Sequence, residues 1–424
     1  MRKIAFVLSL VLIFMIPWEG VIRFAGIGDS ESTAVKFFGL GVSSIWVISV
    51  LIAGGFRKPG PFHVAVFLFV LWNAFSFYWS ENMNRTINQV ITWVQLLVFS
   101  YIIWDLYTSR NAVFAGLQAY VLGCYVAVGG AISSYFSGDA FYTYYERFTP
   151  GDTNPDGFGF ILALGIPVAW YLASSIENVK YATMLKLINI AFIPLVIVGL
   201  ALSGTRTALI ASIPGMAFGF ATLTRLRPWA RIAIFIILIA ALIIIIPELQ
   251  SLRSFQRFGT IGTEITQGDL NNRVNNWKEG LSSFAAHPLL GVGSNMYRSV
   301  NSLGKVAHNS YISVLVELGV VGFALFAVIL AIAIIQVWSL PKWDKLFWLT
   351  MLLVWAIGSL TLTWEHRKST WLFLSLLIAS TSLASQLQRD VQLEKKSQPP
   401  FSPIPLTKSS LHPPGEEINT SPGN

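Results

Sequence analysis

Long apolar stretches alternate along this chain with short polar joints. Apolar runs lie at about 4–18, 34–54, 62–79, 87–106, 111–136, 157–175, 186–203, 207–223, 231–247, 309–338, 345–363 and 370–386. Most approach the roughly 20 apolar residues that a helix needs to cross the hydrocarbon core of a bilayer. Runs such as Ile232 to Ile246 are continuously apolar, without the alternation that strands of a membrane barrel need. The pattern predicts an all-α, polytopic membrane helical bundle of about twelve transmembrane helices. The first run, behind Met1-Arg2-Lys3, resembles a signal peptide. It is closed by Pro17-Trp18-Glu19 and not by small residues, so it is read as an uncleaved first span.

The joints are short except for one, Glu248 to His308. A polar segment of that length inside a compact protein is either functional or disordered. This one carries its own helical period: Val274, Trp277, Leu281 and Phe284 recur at three and four residues, with Arg273, Asn276, Lys278 and Glu279 on the other side. Asn271 or Asn272 can cap its start, and His287-Pro288 ends it. An ordered loop with an amphipathic helix lying across the membrane surface is expected. Beyond about Gln386 the chain turns to charges, Pro, Ser and Thr, too few apolar groups to offset the entropy of ordering. The organisation that follows is nine spans over 1–247, a large ordered loop over 248–308, three spans over 309–386 and a disordered tail over 387–424.

Composition agrees: 54% of the 424 residues are hydrophobic and 12% charged, and the mean hydropathy is +0.61. A soluble domain carries about a quarter charged residues. The net charge of +8 therefore reads as a membrane topology signal and not as a nucleic-acid surface. With the N-terminus inside, 16 of the 29 Lys and Arg residues fall on the cytoplasmic side. Seven fall outside once the six in the long loop, which counts little for orientation, are set aside. Both termini are then cytoplasmic and the large loop is periplasmic. The single cysteine, Cys124, can form no internal disulfide.

Three polar features exceed what a bundle needs. Tyr142, Tyr144, Tyr145, Glu146 and Arg147, followed by Asn154-Pro155-Asp156-Gly157, read as interfacial anchors and a turn, or as a platform for stacking sugars. Ser203-Gly204-Thr205-Arg206-Thr207 holds a guanidinium beside the hydrocarbon boundary, where it either snorkels or meets an anion such as a lipid-borne phosphate. His308 stands at the mouth of the next span, with Asn309 and Ser310 able to cap free backbone N–H groups. There it is either a cap or a general base. Glu317, about 13 Å further in at roughly 1.5 Å per residue, must face the protein interior and find a partner. The remaining histidines show no metal-ligand spacing.

Together these residues resemble the O-antigen ligase and Wzy-type polymerase family. The matching elements are Arg273-Val274-x-x-Trp277, His287-Pro288-Leu289-Leu290-Gly291-Val292-Gly293, and His308-Asn309 followed after nine residues by Gly319-Val320-Val321-Gly322. The segment Ser203 to Leu209 is similar to the small-x-Arg-x-Ala-Leu stretch that precedes them. The strong motifs cover about 200 to 325, and the N-terminal half agrees in topology. The resemblance implies an inverting glycosyltransferase of the bacterial inner membrane that needs no metal or other cofactor. Its donor would be a glycan on undecaprenyl diphosphate. Its acceptor would be a sugar hydroxyl of the lipid A core for a ligase, or a second lipid-linked glycan for a polymerase. The resemblance makes His308 the catalytic base, Arg206 and Arg273 the diphosphate ligands, and Asn309, Tyr311 and Glu317 supporting residues. A polysaccharide transporter or flippase is a further alternative; such a protein should show internal repeats and helices broken at the midplane.

Overall fold

A computed structural model of the chain describes residues 1–24, 32–142, 145–177, 180–225, 252–256 and 273–397, with scattered positions between 228 and 259. The helices are α1 (Arg2–Met15), α2 (Ala34–Ala53), α3 (Pro61–Phe75), α4 (Met83–Leu106), α5 (Arg110–Ser137), α6 (Pro155–Ser175), α7 (Ala182–Ser203), α8 (Arg206–Leu223), α9 (Arg273–Ala286), α10 (Ser310–Val337), α11 (Lys342–Ser359) and α12 (Lys368–Ser397). A two-residue antiparallel pair, Arg23–Phe24 with Ser32–Thr33, precedes α2. Among the described residues, nine helices are long and apolar enough to cross a membrane. Of the twelve expected spans, α1 has only 14 residues before a 3-10 turn. The start of α11 carries Lys342, Asp344 and Lys345, which dilute its apolar character. The expected span at 231–247 lies outside the continuously described residues.

The chain divides into two compact units, Met1–Ser385 and Gln386–Asn424. In the second, helix continues to Ser397 where the sequence was expected to lose order. Leu, Gln, Glu and Lys are good helix formers even without a core to bury. The rest of the expected disordered tail, 398–424, lies outside the described residues.

In the first unit α6 is the hub. Nearly all its residues from Phe158 to Ala173 are buried, and it packs on α5, α7, α8 and α11. Small residues permit the approach, as lipid-solvated helices require: a Cβ on Gly159 would press on Ser203, Thr205 and Ala208. On one flank α1 lies against α2 and α5, and α3 against α4 and α10. A buried carboxylate ties this flank at one end. Asp105 accepts from Arg2 Nη2 at 3.1 Å, Trp46 Nε1 at 3.0 Å and the Arg57 amide at 2.8 Å.

α10 is two helical pieces joined at Gly319, whose φ of 66° and ψ of −170° belong to a region essentially reserved for glycine. A break inside a span frees backbone groups that lipid cannot satisfy. Here the loop supplies their partners. The Val292 and Gly293 amides donate to the carbonyls of Val316 and Glu317 at 3.0 and 2.8 Å, and Val320 N–H donates to Pro288 O at 2.9 Å. Trp72 Nε1 takes the Leu318 carbonyl at 3.0 Å. A Cβ on Gly291 or Gly319 would run into the opposing backbone. The His-Pro-Leu-Leu-Gly-Val-Gly and Gly-x-x-Gly motifs are thus the two halves of one backbone seam.

Candidate functional site

The seam carries the chain toward His308. Beyond it, the Glu317 carboxylate accepts from the amides of Asn295 at 2.8 Å and Tyr297 at 3.2 Å. Glu317 faces the interior as expected, and its partners are the main chain of the loop. The Tyr297 hydroxyl donates to Asn276 O at 2.9 Å, so α9 is held from below. α9 in turn grips the segment that ends in His308: Asn276 Nδ2 donates to Val306 O at 2.9 Å and Trp277 Nε1 to Ala307 O at 2.7 Å. The amphipathic reading placed Asn276 on the polar side, yet it is 3% exposed, because a carbonyl of the returning chain takes up its amide. The helix therefore turns a mixed face, Asn276 and Gly280, inward. Leu281 is 41% exposed.

His308 has φ +49°, a left-handed conformation that costs a non-glycine residue on the order of 1–2 kcal/mol. Its neighbours hold it there. The His308 amide donates to Thr363 Oγ1 at 2.9 Å. Asn309 Oδ1 accepts from the amides of Tyr311 and Ile312, both at 3.0 Å, so Asn309 is the N-cap of α10. Asn309 Nδ2 and Ser310 Oγ donate to the carbonyls of Leu360 and Leu362. Tyr311 stands edge-on to Trp355 at 6.3 Å.

A cleft of about 570 Å³ opens beside His308. Arg147, Arg273, Arg298 and Lys305 bring four cations to its wall, and Asp156 one carboxylate; Tyr142 and Tyr145 stand at the same wall. Burial, then Arg273, lowers the His308 pKa from 6.5 to about 4; Asp156 opposes the shift, and Lys305 and Arg298 add to it. The imidazole is therefore neutral at pH 7 and can accept a proton.

His308 and Arg273 thus come together as expected. Arg206 begins α8, half-buried, and is not among the residues lining this cleft. The small-residue joint beside it has another occupant. Arg147, 5% exposed, donates from Nε to Ser203 O at 2.6 Å and from Nη2 to Asp156 Oδ1 at 2.6 Å and Thr205 Oγ1 at 2.9 Å. Thr205 Oγ1 donates to Pro155 O at 2.8 Å. The family resemblance assigns Arg147 and Arg298 no role, since neither lies in a motif. The one available signal was the Tyr cluster next to Arg147. Arg257, Tyr144, Asn271 and Asn272 lie outside the described residues.

Residues 190–327 match a protein-family model described as O-antigen ligase. That part of the chain is similar to the O-antigen ligase family. It runs from within α7 through α8 and the segment with His308 to the break in α10, and so contains both glycines of the seam. The match supports a membrane glycosyltransferase-like role in polysaccharide biosynthesis. No curated protein matches the chain.

Proposed function

We propose that the protein transfers a glycan from undecaprenyl diphosphate to an acceptor sugar hydroxyl at the periplasmic face of the bacterial inner membrane, without a metal. The observation that carries this is the neutral His308 and Arg273 on one wall of a cleft where four cationic side chains face a single carboxylate. His308 takes the proton of the acceptor hydroxyl as its oxygen bonds to the anomeric carbon. The bond from that carbon to the diphosphate oxygen breaks in the same displacement, inverting the centre. The leaving diphosphate gains charge as it departs, and fixed guanidinium groups stabilise it most in the transition state. Arg273, Arg298 and Lys305 supply this charge from the cleft wall, and Arg147 pairs with Asp156. Tyr142 and Tyr145 are placed to stack against the sugars. An arriving diphosphate also offsets the cations that depress His308, which strengthens the base when the donor binds.

The acceptor of a ligase is the lipid A core, and that of a polymerase a second lipid-linked glycan; both chemistries use the same cleft. A transporter would use a broken span to expose backbone carbonyls to its cargo. The break in α10 does not, since loop amides and Trp72 already occupy those carbonyls.

His308→Ala is expected to lower transfer 10²–10⁴-fold. A ligase would then leave bare acceptor while lipid-linked chains accumulate; a polymerase would leave single repeats. Unchanged surface glycan in that strain would sink the proposal. For the purified protein, protonation removes the base, so kcat/KM should fall only as pH drops toward about 4, not near 6.5.

A further inference from the structure

A second cavity, of about 450 Å³, lies between α2 and α4 with α1 behind it. Its wall on α4 runs Gln89, Thr92, Gln95, Leu96, Phe99, Ile102, a single helical stripe. The stripe begins polar and ends apolar, over about 20 Å of helix at roughly 1.5 Å per residue. At its polar end three cations, Lys36, Arg367 and Lys368, surround Glu19. Glu19 pairs with Lys368, and although burial works to raise its pKa, the three cations hold the carboxyl below its usual range. One carboxylate against three cations leaves a surplus of two positive charges. Polar side chains within a span face a cavity or the protein, and here they face the groove. Leu40, 50% exposed, stands at the groove's rim. Asn154, at the start of α6, lines this groove and also the His308 cleft.

We propose that this groove binds a lipid with one hydrocarbon chain and a terminal phosphate, of the polyprenyl phosphate class. The phosphate sits on Lys36, Arg367 and Lys368, and the chain lies along the α4 stripe. A terminal phosphate carries about −1.5 to −2, which matches the surplus of two; the single charge of a phosphodiester lipid does not. A single stripe suits one chain. Binding is argued from the groove alone. A lipid that ends in its phosphate carries no sugar hydroxyl, so it is not the acceptor of the glycosyl-transfer reading.

The test uses the full chain carrying Thr92→Cys in phosphatidylcholine nanodiscs, where the only natural cysteine, Cys124, is buried. Maleimide labelling of the new thiol is measured while undecaprenyl phosphate is titrated in. Protection at least tenfold in rate is expected, with Lys36→Gln and Arg367→Gln each raising the half-protecting concentration about tenfold. Equal protection by phosphatidylglycerol, protection by inorganic phosphate alone, no protection, or no response to the charge substitutions would overturn the proposal. If either glutamine variant fails to fold, the other reads the same loss. His308→Ala should leave protection unchanged. A strain in which His308→Ala keeps its surface glycan would remove the catalytic reading and leave the groove standing.

Discussion

Two seams join polar segments to the spans, and they are made of different material. Loop residues 288–293 meet α10 through backbone, with Gly291 and Gly319 removing the Cβ atoms that would part the strands. Residues 147–156 meet the α7–α8 joint mainly through side chains: the Arg147 guanidinium collects Ser203 O, Asp156 and Thr205, Thr205 Oγ1 donates to Pro155 O, and one backbone bond, Phe148 N–H to Leu202 O, adds to them. The backbone seam tolerates nothing larger than glycine at two positions and is therefore written as a motif. The guanidinium seam needs one arginine and a joint of small residues anywhere within its reach, so it leaves no spacing to recognise.

The comparison can be broken from either side. Gly319→Ala should have the largest effect. It forces a β-carbon against the Leu289 carbonyl at a glycine-only backbone conformation, for a loss of about 3 kcal/mol or more. Thermal unfolding in detergent would show it, and hydrogen exchange should rise over 288–297 while 203–207 stays protected. Arg147→Met comes next, at about 2–3 kcal/mol, because it strands a carboxylate and two acceptors. Asp156 is 26% exposed at its side chain, which keeps the loss at the lower end. Adding Asp156→Asn should recover more than half of it, and the exchange pattern should be the reverse of the first. Glu317→Gln should have the smallest effect, about 1 kcal/mol, since one of two amide contacts survives. If Glu317→Gln proves as damaging as Gly319→Ala, the carboxylate and not the backbone holds the loop.

Much of the bundle was legible from hydrophobic runs, since a membrane span must be a continuous apolar helix. The ends of α2, α5, α7 and α8 fall within a few residues of the expected ones. α1 and α11 differ because one is short and the other opens with three charges. In the candidate site, His308 and its cap Asn309 were legible because capping is local chemistry, and Arg273 because it opens an amphipathic period. Arg147, Arg298 and Lys305 were not, since only the return of distant segments brings them to one wall. The inward turn of Asn276 was hidden for the same reason: the carbonyl that satisfies it lies thirty residues along the chain.

The sequence by itself therefore determined that long apolar helices precede and follow a polar segment that carries the helix α9 and ends in a histidine. Those are consequences of lipid as solvent and of contacts a few residues apart. Only the tertiary structure decided that the loop's backbone fills a break in α10. It also decided that His308 is held beside a cationic cleft, and that a charged groove between α2 and α4 shares Asn154 with that cleft. Each of these depends on which distant segments pack together, and no local pattern encodes that choice.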